Sequence, residues 1–184
     1  MTTPVFPDSP LATARLTLRP FAAGDAAEVA AMLSDPACAR WLPLEQPYTL
    51  AAARSWCESV SPELRARGTG VHWAAVETAS ARFVGSFGFN GVDWQARSAD
   101  IAYAVHPAMR GRGLAQEAVA RIVDWLLREQ GFTRCQLRAA AGNRSSQKVA
   151  AAAGFTPEGV CRKAGFTHGG LVDLIVYSRL SDDL

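Results

Sequence analysis

A turn rich in arginine and glycine, RGRGLA at residues 110–115, is the segment best suited to binding a ligand. Apolar residues recur at helical spacing after it, so the turn is expected to open a helix. The start of a helix presents free N–H groups and the positive end of the helix dipole, and both attract anions. Gly111 and Gly113 lack the Cβ atoms that would keep a ligand from the backbone, and Arg110 and Arg112 add positive charge. The turn therefore predicts a site for a pyrophosphate, with an ordinary glycine-containing turn as the alternative.

Two common phosphate-binding motifs do not fit this turn. A P-loop has Gly-Lys-Ser/Thr after its glycines, and no such sequence follows here. A Rossmann fingerprint sits inside a parallel βαβ unit. The residues before the turn are strand-like over 71–76, 81–89 and 98–105, and their short connections predict an antiparallel meander instead.

The remaining patterns predict one domain around a single sheet. Further strands are expected at residues 15–19, 135–140 and 171–180. Helices are expected at residues 25–35, from Thr49 onward with a break or kink near Pro62, at 114–131 and at 143–153. This order predicts an α+β fold with a mixed, mostly antiparallel sheet flanked by helices, in a single domain over residues 1–184. Residues 1–10 are expected to form a flexible N-terminal segment.

The composition argues against several classes of protein. The net charge of +2 is too small and too dispersed for nucleic-acid binding. No apolar run reaches the ~20 residues of a membrane-spanning helix, so no membrane partner is expected. The N-terminus has neither the basic start nor the apolar core of a secretory signal. The four cysteines and three histidines are scattered, which predicts a cytoplasmic protein with reduced thiols and no metal.

Five segments, in their order along the chain, resemble the GNAT acyltransferases, and most closely the RimJ/RimL branch, which acetylates protein N-termini. The segments are RLTLRPF at 15–21, FVGSFGF at 83–89, DIAYAVHPAMRGRGLAQEAV at 100–119, NRSSQKVAAAAGF at 143–155 and EGVCRKAGFTHGGLVDLIVYSRL at 158–180. The resemblance implies an N-acetyltransferase that moves the acetyl group of acetyl-CoA to a primary amine. The amine attacks directly, with no metal and no covalent enzyme intermediate.

The same resemblance assigns residues to acetyl-CoA. The pyrophosphate is expected on the turn, and the pantetheine arm beside the backbone of Val105 and the side chain of Asn143, which is also a good helix cap. Arg144 is a further candidate for the CoA phosphates, unless it is simply solvated. The residues expected to bind acetyl-CoA are Val105, Arg110, Gly111, Arg112, Gly113, Leu114, Ala115, Asn143, Ser146 and Lys148.

Two residues are expected to take part in the chemistry. Asp100 matches a position where the family often has a glutamate as general base; the alternatives are a solvated strand end and an ion pair with Arg97. Ser146 matches the serine of N-x-x-S, whose hydroxyl can donate a hydrogen bond to the leaving sulfur, although it is also placed to cap a helix. Many GNAT enzymes have a tyrosine that acts as the general acid four residues before the Gly-Phe pair. This chain has Ala150 at that position. Cys135 has no histidine paired with it in sequence and is not expected to act as a nucleophile.

The sequence leaves the amine acceptor open. Trp41 and Tyr103 are expected to line its pocket, with ordinary core packing as the alternative. A protein or peptide N-terminus, an antibiotic, a polyamine and an amino acid all fit the family. The alternative to an enzyme is a regulatory module that binds acyl-CoA without catalysing transfer, and Ala150 is the main support for it. Relatives often form homodimers, so a second copy of the chain is a possible partner.

Overall fold

A computed structural model describes residues 5–184, and it contains one sheet with helices on both faces. The strands are β1 (Leu11–Ala12), β2 (Leu16–Arg19), β3 (Val71–Glu77), β4 (Phe83–Asp93), β5 (Ser98–Val105), β6 (Arg134–Ala140), β7 (Thr156–Thr167) and β8 (Gly170–Leu180). They lie in the order β1-β2-β3-β4-β5-β6-β8-β7, and only the β5–β6 pair is parallel within the described chain. The predicted α+β class and the antiparallel meander before the turn are confirmed.

The predicted helices lie close to their expected positions, and Pro36 begins an additional short helix just after the expected end at residue 35. The helices are α1 (Ala26–Ser34), α2 (Pro36–Ala39), α3 (Leu50–Ser55), α4 (Ser61–Ala66), α5 (Leu114–Asp124) and α6 (Arg144–Ala152). A π-helical turn at Trp125–Glu129 extends α5, and Gly131 follows it with a φ of +70°, which favours glycine. Over residues 5–184, no helix has the length and apolar character needed to cross a bilayer.

The break predicted near Pro62 takes the form of a π-helical turn rather than an interruption. The Thr49 hydroxyl accepts a bond from the Ala52 N–H at 3.1 Å and so begins α3. A π-helical turn at Trp56–Val60 then leads directly into α4, whose second residue is Pro62. The wider turn changes the hydrogen-bonding pattern just before the residue that has no N–H to donate.

Each face of the sheet carries its own apolar core. On β3, Val71 and Trp73 belong to a cluster that includes Ile122 of α5. Ala74 lies between Trp73 and Ala75 of that cluster, but it points to the other face and packs in a cluster with Val29 of α1. This alternation follows from the two-residue period of a strand. It separates an α5 face from an α1 face.

The contact between β5 and β6 is short. Their parallel register joins only Ser98–Asp100 to Arg134–Gln136. Beyond it, β5 stays paired with β4 as far as Val105, and β6 stays paired with β8 as far as Ala140. Both strands therefore extend past their mutual contact, and a gap opens between them.

Residues 1–10 were expected to form a flexible N-terminal segment, and Phe6 within them packs into the core. Residues 1–4 lie outside the described part of the chain, but Phe6 is only 4% exposed. Its ring centroid lies 4.9 Å from that of Trp94 and 5.0 Å from that of Phe89. A single phenylalanine flanked by prolines gives no periodicity, so sequence patterns could not reveal this packing.

Replacing Phe6 with alanine is expected to lower the free energy of unfolding by about 3–5 kcal/mol, because it leaves a cavity among aromatic rings. Val5→Ala is the matched control, since Val5 is 60% exposed and should change stability by less than about 0.5 kcal/mol. Urea unfolding followed by tryptophan fluorescence measures both. Equal, small effects would contradict the packing of Phe6.

Candidate functional site

A cleft of about 670 Å³ occupies the gap between β5 and β6. The turn before α5, helix α6, helix α2 and the β7–β8 hairpin form its walls. The structure brings nearly all of the predicted site residues together here: Trp41, Tyr103, Val105, Arg110, Gly111, Arg112, Gly113, Leu114, Ala115, Asn143, Ser146 and Lys148. Asp100 and Arg144 are the predicted residues that do not line it.

Glycine is required in the turn by its backbone conformation. Gly111 and Gly113 each have a φ of +73°, which costs a residue with a side chain about 1–2 kcal/mol. A Cβ at Gly111 would meet no atom within 4 Å, so space is open beside the backbone. The Glu117 N–H donates to the Gly113 carbonyl at 3.3 Å, which leaves the N–H groups of the first turn of α5 without helical partners. An anion in the cleft can accept from those groups.

The two arginines of the turn are held by carboxylates. The Arg110 guanidinium lies 2.7 Å from Asp35 Oδ2, and its Nε donates to the Val105 carbonyl at 3.2 Å. Arg112 pairs with Glu77. Hydrogen bonds from Ser80 and from Arg112 hold the pKa of Glu77 below its ordinary value, so this carboxylate stays charged. The arginines are thus positioned at the cleft before any ligand arrives.

Sequence reasoning missed Arg15 as part of this site. Its Nη1 donates to the Arg112 carbonyl at 3.0 Å, and its guanidinium lies 2.6 Å from Glu117 of α5. Arg15 therefore fixes the turn against the start of β2. Arg15 is the first residue of the motif RLTLRPF, but the alternation of that motif indicated only a strand.

The edge of β5 presents backbone groups to the cleft. The His106 N–H donates to the Val84 carbonyl of β4 at 2.9 Å. Hydrogen-bonding direction alternates along an antiparallel strand, so the N–H groups of Tyr103 and Val105 point away from β4 and toward the gap. A ligand lying along β5 can pair with them as a strand would.

Two hydroxyl groups meet at the centre of the cleft. Tyr103 Oη lies 3.0 Å from Ser146 Oγ. Asn143 performs the capping considered for Ser146, since its Oδ1 accepts from the Ser146 N–H at 3.1 Å. Burial raises the pKa of Tyr103 to about 12, so its phenol remains protonated at neutral pH. Ala150, at the position where a catalytic tyrosine was considered, is fully buried.

Asp100 is placed differently from the prediction. Its Oδ1 accepts from Gln136 Nε2 at 3.0 Å, and its Oδ2 lies 2.7 Å from Arg138 Nη2. The considered partner, Arg97, instead lies 6.0 Å from the ring of Trp94. The geometry therefore does not favour Asp100 as a base in contact with substrate. Arg138, which the sequence analysis did not select, lines the cleft in its place.

Trp41 closes one side of the cleft. A Cβ at Gly142 would lie 3.1 Å from Trp41 Cη2, so the ring rests on the turn between β6 and α6. The guanidinium carbon of Arg40 lies 4.8 Å from the centre of that ring. The β7–β8 hairpin contacts the segment that follows Trp41, since His168 Nε2 lies 2.8 Å from the Leu44 carbonyl.

Nucleophilic catalysis by cysteine does not fit this cleft. Cys135 is 0% exposed, and burial raises its pKa to about 12, which keeps it a thiol. In residues 5–184, no group of three or more His, Cys, Asp or Glu side chains is placed to hold a metal ion.

Comparison with known proteins agrees with this arrangement. Residues 15–156 match the acetyltransferase (GNAT) domain. The uncharacterized N-acetyltransferase YoaA of Bacillus subtilis is 27% identical over 168 residues, covering 91% of this chain and 94% of its own.

Solved structures of other acetyltransferases share the fold. RimJ of Mycobacterium smegmatis, in complex with CoA-disulfide, superimposes with a TM-score of 0.84 at 22% identity, covering 96% of this chain and 88% of its own. The ribosomal-protein-S5-alanine acetyltransferase of Vibrio fischeri gives a TM-score of 0.82 at 22% identity, covering 96% and 98%. With its domain match over residues 15–156, the chain belongs to the GNAT acetyltransferase family.

Proposed function

We propose that this protein is an acetyl-CoA-dependent N-acetyltransferase whose acceptor is the α-amine at a peptide or protein N-terminus. One observation carries the proposal: a single cleft joins an anion-binding turn to a pair of hydroxyl groups and then to a second opening. The turn and α6 form the donor end. The opening between α2 and the β7–β8 hairpin forms the acceptor end.

The donor end suits the parts of acetyl-CoA in order. The pyrophosphate would accept from the free N–H groups of the turn, where Gly111 leaves open space. The pantetheine arm would lie along the edge of β5 and pair with the N–H groups of Tyr103 and Val105. The thioester would then reach the pair formed by Tyr103 and Ser146.

The reaction is transfer of an acetyl group from sulfur to nitrogen. The nitrogen lone pair attacks the thioester carbonyl carbon, the carbon–sulfur bond breaks, and the sulfur gains the proton that the nitrogen loses. The Ser146 hydroxyl donates a hydrogen bond to the departing sulfur, and Tyr103 donates to Ser146 Oγ and so polarises it. Tyr103 is then part of the leaving-group machinery rather than a wall of the acceptor pocket.

The acceptor end suits an extended chain. Trp41 and Leu42 lie on one side of it and Phe166, which is 60% exposed, lies on the other. Apolar walls on both sides of an opening to solvent can hold the first residues of a peptide while its amine reaches the thioester. The peptide acceptor of the Vibrio fischeri relative, a ribosomal protein, supports the same choice.

The proposal is tested by a screen of CoA release with peptides of varied first residue, alongside spermidine and free amino acids. Release with peptides, and an acetyl group on the peptide α-amine by mass spectrometry, are expected. Activity confined to small amines would contradict the peptide acceptor. No release with any amine, despite acetyl-CoA binding, would identify the non-catalytic binding module.

Gly113→Ala is expected to raise the Kd for CoA about tenfold in calorimetry, because the turn loses its conformation and at least one charge-assisted bond. Gly131→Ala is the control: its φ of +70° gives a similar backbone cost, and it lies at the other end of α5. Similar loss of affinity in both variants would mean that the turn does not bind CoA.

Ser146→Ala is expected to lower kcat about a hundredfold with little change in KM for acetyl-CoA, since its hydroxyl acts as the carbon–sulfur bond breaks. Tyr103→Phe should lower kcat about tenfold. Ser145→Ala is the control, because the neighbouring hydroxyl is not bonded to Tyr103. Steady-state kinetics measures all three, and unchanged kcat in the first two would refute the hydroxyl pair.

A further inference from the structure

Arg138 faces the acceptor end of the cleft. Its neighbours on β6, Leu137 and Ala139, are buried in the core on the α5 face, so strand alternation directs Arg138 to the α1 face. Trp41 follows α2, whose Cys38 packs in the core of that same face. The side chain of Arg138 is 50% exposed and lines the cleft. Arg138 belongs to β6, whereas the turn where the phosphates of CoA are expected lies between β5 and α5.

The cleft is electrostatically one-sided. Among the described residues, its lining includes no Asp or Glu, and its charged members are Arg110, Arg112, Arg138 and Lys148. Carboxylates behind the lining already have cationic partners, since Asp35 pairs with Arg110 and Asp100 pairs with Arg138. At the acceptor mouth, Arg40 adds another guanidinium above Trp41.

Resting on the proposed transfer to an amine, we infer that Arg138 is the binding site for an anionic group of the acceptor. Its guanidinium carries five N–H donors and Asp100 accepts from Nη2, so donors remain for a second carboxylate. Asp100 is a positioning residue: together with Gln136 it fixes the guanidinium at the cleft wall. The substrate class is an amine with a carboxylate nearby, and a polycation is disfavoured by like charge.

Such a carboxylate has two sources, and matched acceptors separate them. Tetrapeptide amides with Asp, Asn or Lys at the second residue differ only in the charge of that side chain, and the Asp peptide supplies the anion. Alanine against alaninamide places it on the α-carboxylate. Spermidine supplies the polycation. A preference among the peptides identifies a peptide N-terminus, whereas a preference for alanine over alaninamide identifies a free amino acid.

Arg138→Gln keeps a polar side chain and removes the charge. The variant should lose about tenfold to a hundredfold in kcat/KM for the preferred anionic acceptor, mainly through KM, with little change for its neutral counterpart. Arg121→Gln is the matched control, because Arg121 also pairs with a carboxylate, that of Glu129, but lies on α5 outside the cleft. It should keep the wild-type preference. Calorimetric binding of CoA by both variants verifies that they are folded.

Asp100→Asn separates positioning from base catalysis. Weaker orientation of Arg138 is expected to raise KM for the anionic acceptor several-fold while the pH dependence of kcat stays as in the wild type. Loss of the acidic limb of that profile would overturn the positioning role and restore Asp100 as the base.

Transfer at equal kcat/KM to the anionic, neutral and cationic acceptors would overturn this inference and leave the proposed function standing. An anionic preference that survives Arg138→Gln would also overturn it. Absence of transfer to every acceptor, with CoA still bound, would overturn the proposed function and this inference with it.

Discussion

The parallel contact between β5 and β6 ends after Asp100 and Gln136, and the site depends on that ending. Each strand keeps an antiparallel partner on its outer side, so neither is lost from the sheet. Their inner edges nevertheless carry N–H and C=O groups that need partners. A ligand in the gap can supply partners for the N–H groups of Tyr103 and Val105, which makes the interrupted sheet edge a binding surface.

The interruption also gives the cleft two different ends, because a gap in a sheet opens on both faces. On the α5 face, Arg15 and Arg112 hold a turn with free N–H groups at a helix start. On the α1 face, Trp41 and Arg138 lie beside the β7–β8 hairpin. In the proposed function, donor and acceptor therefore approach the same central point from opposite sides, so each end can differ in chemistry without disturbing the other.

Local patterns were sufficient for the turn and for most of the elements in their order, whereas β1, α2 and β7 were not among the predicted ranges. Alternation predicted the meander, and positive charge with glycine at a helix start predicted residues that do line the cleft. Partners distant in sequence could not be predicted this way. The ion pair of Asp100 with Arg138 and the contact of Phe6 with Trp94 depend on strand order and packing, which leave no periodic trace.

Ala150 illustrates the risk of judging chemistry by position alone. Its lack of a phenol suggested that catalysis had been lost, and its complete burial leaves no room for one. Yet Tyr103 reaches Ser146 from β5, so a phenol and a hydroxyl still meet in the cleft. A leaving sulfur responds to the hydrogen bonds it receives, whichever element provides the donor. In the proposed mechanism, the pair therefore donates to the thiolate from the opposite wall, and the absence of a tyrosine at position 150 is compatible with a donor on another element.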